Sequence, residues 1–195
     1  MKEVRTIAVI GAGIMGRGIA HAAALGGYRT ILEDLFPNAL RKAGPEIRAQ
    51  LHHAVELGKV KAAEADAAFS RIEYAGSVDE AARQADLVIE AVPDEMESKL
   101  EIFIMLDKFC RPATILAANT SRLSVTEIAS ATYRAKQCAG MRFSNPVQEM
   151  KVLEVVRAAE TDDETLAAVV EVGERMGKEV KVLHEVPGVI SSRVG

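Results

Sequence analysis

At 195 residues the chain has room for one domain, two at most, with a sizeable core. A net charge of −4, with 49% apolar and 27% charged residues, reads as a soluble globular protein and argues against a disordered chain or a nucleic-acid surface. No apolar run approaches the ~18 residues of a membrane span, the first residues read as no signal peptide, and Cys110 and Cys138 lack CxxC partners, which together predict a reducing cytoplasm.

In chain order, strand and helix alternate. Residues 5–10 are a short apolar run that predicts a strand. It leads into Gly11-Ala12-Gly13-Ile14-Met15-Gly16 and an alanine-rich helix to about Leu25, ended by Gly26-Gly27 because glycine accepts the left-handed cap conformation. Residues 30–33 predict a second strand. From 37 to about 71 the period is helical, with a break at 57–59, which predicts a projecting helical hairpin outside the sheet. Gly44-Pro45 is expected to bend or interrupt its first arm. Strands follow at 72–75, 87–92 and 114–118, the second apolar throughout except for Glu90, as a buried parallel strand requires. Helices are predicted at 78–84, 95–109 and 125–131, the last with Ser124 as N-cap. Strands at 137–143 and 152–156 precede a helix at 162–176, where Thr161 and Glu164 have capping-box spacing and Gly177 is the stop. A strand at 179–183 closes the series. The alternation predicts an α/β fold: a Rossmann-type, doubly wound, mostly parallel sheet with helices on both faces.

A lone GxGxxG marks many tight strand-to-helix turns, but here each part of the context agrees. Gly11 permits the turn, Gly13 lets the backbone approach a pyrophosphate, Gly16 lets the helix close on the strand, and the helix opens at Ile14-Met15 with free N–H groups. Asp34 follows the second strand, 23 residues after Gly11, where a carboxylate can accept both adenosine ribose hydroxyls. It would repel the 2′-phosphate of NADP, and Glu33 beside it is expected to add to that, so NAD is the expected cofactor.

Further motifs fall in order: Ile89-Glu90-Ala91-Val92, Asn119-Thr120-Ser121, Asn145-Pro146-Val147 and Met150-Lys151-Val152-Leu153-Glu154-Val155-Val156. With the glycine motif and Asp34, the whole chain resembles the NAD-binding domain of the L-3-hydroxyacyl-CoA dehydrogenases. The resemblance implies an NAD-binding domain over residues 1–186, with 187–195 starting the connection to a helical C-terminal domain beyond this chain. It also implies an acyl-CoA substrate and dimerisation through that helical domain, whereas the charge balance and the lack of a long apolar run argue against nucleic acid or membrane as partner. Glu90, Lys99 and Asn119 fall on cofactor-contacting positions, Ser121 on a substrate-binding serine, and Glu154 on the glutamate that orients the catalytic histidine. Bottom-up, Glu90 is either functional or a buried structural acid, and Lys99 is equally readable as a solvated helix lysine.

Two positions depart from the family pattern. Where the family has its catalytic histidine this chain has Arg142, within Gly140-Met141-Arg142-Phe143-Ser144-Asn145-Pro146. Where the family has a substrate-binding asparagine it has Ser192. Arginine stays protonated and offers no acceptor, so it cannot be a general base. An ion pair between Arg142 and Glu154 is expected. His184 is the histidine expected nearest the cleft and thus a possible substitute base, whereas His21, His52 and His53 read as packing or surface. Three readings stay open: a 3-hydroxyacyl-CoA dehydrogenase, an NAD(H)-binding module with little turnover, and an enzyme in which Arg142 clamps the carboxylate of a free hydroxy acid.

Overall fold

The apolar runs become the strands of a single sheet in the computed structural model, which describes residues 2–185. The elements are β1 (Thr6–Ile10), α1 (Ile14–Leu25), β2 (Arg29–Glu33), α2 (Pro37–Glu56), α3 (Ala62–Ser70), β3 (Ile72–Ala75), α4 (Val78–Ala82), β4 (Leu87–Glu90), α5 (Met96–Phe109), β5 (Ile115–Ala118), α6 (Val125–Ser130), β6 (Cys138–Arg142), β7 (Val152–Arg157), α7 (Asp163–Arg175) and β8 (Glu179–His184). The strand order is β3-β2-β1-β4-β5-β6-β7-β8. Neighbours pair in parallel except β6 and β7, which are antiparallel. The chain therefore runs outward from β1 to β3, returns, and runs outward again from β4. The crevice where the order reverses lies at the carboxyl ends of β1 and β4.

Residues of β1, β4 and β5 are buried throughout, which is why, apart from Thr6 and Glu90, they are apolar without alternation. Alternate residues feed two cores. Ile7 and Val9 pack with α1, α2, α3 and α7, whereas Ala8 and Ile10 pack with α4, α5 and α6.

The helical hairpin is present and lies outside the sheet. Its base is anchored, because Ala43, Ile47 and Leu51 join the core that holds Ile19 and Ala23 of α1. Gly58, at φ +69°, makes the turn at the expected break. The expected interruption at Pro45 does not occur, and α2 runs unbroken through it. Gly44 has no Cβ for the proline ring to strike. A Cβ there would also lie 3.0 Å from the Tyr74 hydroxyl.

The start of α7 is capped one residue later than its spacing suggested. Asp162 is the N-cap and accepts from the Thr165 N–H. Thr161 is buried instead and donates to the Cys138 carbonyl.

Candidate active site

The Gly11–Gly16 turn sits at the switch point and opens a cleft of about 830 Å³. Gly11 has φ +99°, a conformation that favours glycine, and its N–H donates to the Glu33 carbonyl. A Cβ on Gly16 would fall 1.7 Å from the Gly11 carbonyl oxygen, so only glycine lets α1 start where it does. A Cβ on Gly13 would meet nothing within 4 Å and would instead project into the open cradle. Gly13 is also the N-cap of α1 and provides no side-chain cap. Ile14 and Met15, the first residues of that helix, line the cleft. An open glycine beside an uncapped helix N-terminus is what a pyrophosphate needs. The residues present thus fit a dinucleotide.

Asp34 holds the turn in place. Its Oδ2 accepts from the Ala12 N–H at 2.8 Å and its Oδ1 from the Phe36 N–H at 2.8 Å. Each oxygen keeps a lone pair for a hydroxyl in the cleft. Glu33 lines the same cleft as Asp34. Strand alternation turns Glu33 to the opposite face, in register with Ile10 and Ala75, where it is 2% exposed. Burial and the nearby negative charge of Asp34 push its carboxyl up to about 7.

Beneath the cleft, Glu90 and Lys99 form an ion pair with both side chains 0% exposed. Lys99 Nζ donates to the two Glu90 oxygens at 2.7 and 2.9 Å, and to the Asn119 and Val92 carbonyls at 3.0 and 3.3 Å. Burial pushes Glu90 up to about 7, with the Lys99 charge and the Val92 N–H opposing it. Lys99 is therefore not a solvated helix lysine. It ties the loops after β4 and β5 together from below.

Asn119 and Ser121 line the cleft itself. The Asn119 side-chain oxygen accepts from the Phe143 N–H at 3.1 Å, which links the ends of β5 and β6. Ser121 Oγ donates to Asp94 at 3.3 Å and Thr120 Oγ1 donates to the same carboxylate at 2.5 Å. Sequence reasoning missed Asp94. Its signal was position, since it follows β4 by four residues at the carboxyl edge of the sheet.

Arg142 ends β6 directly opposite Glu154 on β7. The expected ion pair is not formed among the described residues, where Arg142 Nε is buried without a partner. Register brings the two Cβ atoms within about 5 Å but does not dictate where a long arginine side chain ends. Lys181 of β8 stands opposite Glu154 on its other side. His184 lies at the end of the edge strand β8, exposed, three strands from β5, so it does not approach the cleft. His21 is buried in α1, and His52 and His53 are exposed near Glu56. Ser192 lies outside the described residues. Among those residues no cluster of metal ligands is present, and no helix is long and apolar enough to cross a membrane.

Against this geometry stand the comparisons with known proteins. The family model described as 3-hydroxyacyl-CoA dehydrogenase, NAD binding domain, matches residues 6–186. A probable 3-hydroxybutyryl-CoA dehydrogenase from Bacillus subtilis is 41% identical over 192 residues, which is 98% of this chain and 67% of that protein. A 3-hydroxyadipyl-CoA dehydrogenase from Escherichia coli is 38% identical over 194 residues, spanning 100% of this chain and 41% of that one. The crystal structure of (S)-3-hydroxybutyryl-CoA dehydrogenase from Ralstonia eutropha superposes with a TM-score of 0.92 at 33% identity, covering 98% of this chain and 68% of that one. The chain thus spans between about two fifths and two thirds of the length of these relatives.

Proposed function

The chain belongs to the 3-hydroxyacyl-CoA dehydrogenase family, of which it forms the NAD-binding domain, and from that premise we propose that it serves NAD-dependent interconversion of a 3-hydroxyacyl-CoA and its 3-oxoacyl-CoA. One observation carries the reading: the Gly11–Gly16 turn lies at the switch point of the sheet with Asp34 already hydrogen-bonded into it. Bound there, the nicotinamide supplies the hydride acceptor or donor.

The protein's own residues then divide the work. Gly13 and the start of α1 take the pyrophosphate, and Asp34 accepts the ribose hydroxyls and disfavours a 2′-phosphate. Glu90 and Lys99 act as positioning residues that hold the carbonyls of Val92 and Asn119 in the cleft floor. Ser121, whose hydroxyl proton goes to Asp94, turns its oxygen lone pairs to the cleft as an acceptor for the substrate hydroxyl. Arg142, in the position of the family histidine, stabilises negative charge but cannot take the hydroxyl proton. Glu154 remains the carboxylate opposite it. The acyl-CoA substrate, a cytoplasmic location and dimerisation through a further helical domain belong to the same proposal.

A second reading is favoured by Arg142 itself, namely an NAD(H)-binding module with little turnover. Titration of the chain with NADH, followed by nicotinamide fluorescence, and then addition of acetoacetyl-CoA separates the two. Binding with turnover supports the dehydrogenase, binding alone the module, and absence of binding refutes both.

A further inference from the structure

Asp34 accounts for one side of the β2 end, and the other side carries a polar group with no assigned task. Glu33 lines the cleft, yet its Oε1 is buried without a hydrogen-bond partner. An orphaned carboxyl oxygen is costly unless something completes it. The wall around it is apolar. Val78 belongs to the core on this face, Val92 and Ile102 pack against that core, and all three line the cleft. A flat aromatic base fits such a wall, and Glu33 is the polar group set into it.

We propose that Glu33, the last residue of β2, recognises the edge of the adenine base of the dinucleotide whose ribose Asp34 binds. The proposal rests on the dinucleotide reading of the cleft.

The chemistry follows from the two forms of the side chain. A neutral carboxylic acid sets an O–H donor beside a C=O acceptor. Adenine sets an amine donor beside a ring-nitrogen acceptor, so the two edges match. An ionised carboxylate offers acceptors only and turns one of them against the ring nitrogen. Since Glu33 titrates near 7, binding is tight where the acid is neutral and weakens as pH rises through that value.

Asp94 lines the same cleft as Glu33. Asp34 follows Glu33 just past the end of β2. Beside it, β1 and β3 place Ile10 and Ala75, neither titratable. On the same face toward the start of the strands, Arg29 and Glu73 pair with each other at 2.7 Å. On α4, Asp79 pairs with Arg83 at 3.8 Å, and Glu80 shares its first turn. Beyond Ile10 stands Glu90, held by Lys99.

The test is the dissociation constant for NADH between pH 6 and pH 8.5, measured by fluorescence on the full chain and two variants whose folding is confirmed by thermal melts. For the parent chain the constant should rise about tenfold across that range, the change that one unit of pKa elevation on binding produces. Glu33→Gln keeps a donor beside an acceptor without titrating, so its constant should stay flat and within about threefold of the parent at pH 6. Glu33→Leu should bind weakly at every pH. Reduced nicotinamide mononucleotide, which lacks the adenosine half, should show no pH dependence with any of the three.

A flat parent profile overturns the proposal, and so does tightening with rising pH, which would make Glu33 a ribose acceptor. A slope retained in Glu33→Gln overturns it in favour of Glu90, and Glu33→Leu binding as well as Glu33→Gln overturns it outright. Failure of every form to bind NADH at any pH is a different result and refutes the dinucleotide reading itself.

Discussion

Lys99→Met removes one ammonium from the interior and leaves a stem of similar length. Four hydrogen bonds go with it: two to Glu90 at 2.7 and 2.9 Å, and one each to the Asn119 and Val92 carbonyls. Both members of the pair are 0% exposed, so no water replaces the lost partner. Removing one half of a buried ion pair costs about 3–5 kcal/mol. That is a large part of the ~5–15 kcal/mol that holds a domain together. The cost depends on pH with a definite sign. Glu90 already sits near 7, above its ordinary 4.5, and losing Lys99 raises it further. An acid raised on folding loses stability as pH climbs from its unfolded toward its folded value. At pH 5.5 the variant's Glu90 is protonated, the charge-burial part of the cost disappears, and what remains is chiefly the two lost bonds to the Asn119 and Val92 carbonyls, about 2 kcal/mol together. At pH 8.5 the full penalty applies. Urea denaturation at the two pH values measures the difference. Glu90→Gln combined with Lys99→Met should recover most of the loss at pH 8.5. A loss under about 1 kcal/mol at both pH values, or an equal loss at both, would refute the reasoning.

Gly16→Ala should destabilise the chain by at least about 3 kcal/mol and abolish NADH binding, because its Cβ would collide with the Gly11 carbonyl; urea melts and a fluorescence titration check it. The parent chain should bind NADH more tightly than NADPH, and Asp34→Ala should lose much of that preference as well as the bonds to Ala12 and Phe36; paired titrations read both. Arg142→His should add little turnover in this chain alone. In a longer protein that joins this domain to the family's helical domain, the gain should fall within the ~10²–10⁴ range of acid–base catalysis, measured with acetoacetyl-CoA and NADH.

The strands and most helix ends were legible because burial writes itself into composition. The strand expected at 72–75 has those bounds, and the one expected at 87–92 begins at Leu87 and ends two residues early, at Glu90. Asp34 and the glycine motif were legible for a similar reason: a turn that needs φ +99° at Gly11 and no Cβ at Gly16 leaves few alternatives. What escaped depends on three dimensions. Alternation says that Glu33 and Asp34 face opposite ways, but only the structure shows Glu33 set into the apolar wall of the cleft. Lys99 reads as a surface lysine until the loops after β4 and β5 close over it. Pro45 reads as a break until the missing Cβ of Gly44 and the nearness of Tyr74 are considered. Arg142 and Glu154 were rightly placed as neighbours, yet cross-strand register fixes backbones, not the ends of long side chains.

The cleft and the facing positions Arg142 and Glu154, which do not line it, are built from different parts of the sheet, and this bears on what Arg142 changes. The turn, Asp34 and the Glu90–Lys99 pair stand at the ends of β1, β2 and β4. Arg142 and Glu154 stand on β6 and β7, beyond β5. Met141 and Phe143, on either side of Arg142, face the opposite core and are buried there, so residue 142 can change without unpacking it. Glu154 is not engaged by Arg142 or Lys181 among the described residues, although it stands opposite both in register. A histidine at 142 would face that carboxylate in register, where it can hold the charge. Arg142→His should therefore leave the dissociation constant for NADH within about twofold of the parent, less than ~0.5 kcal/mol, while altering turnover in the longer protein. Glu154→Gln in that background should lower turnover again and still leave NADH binding unchanged. If either substitution shifts NADH binding tenfold, the two regions are coupled and Arg142 belongs to the cofactor site.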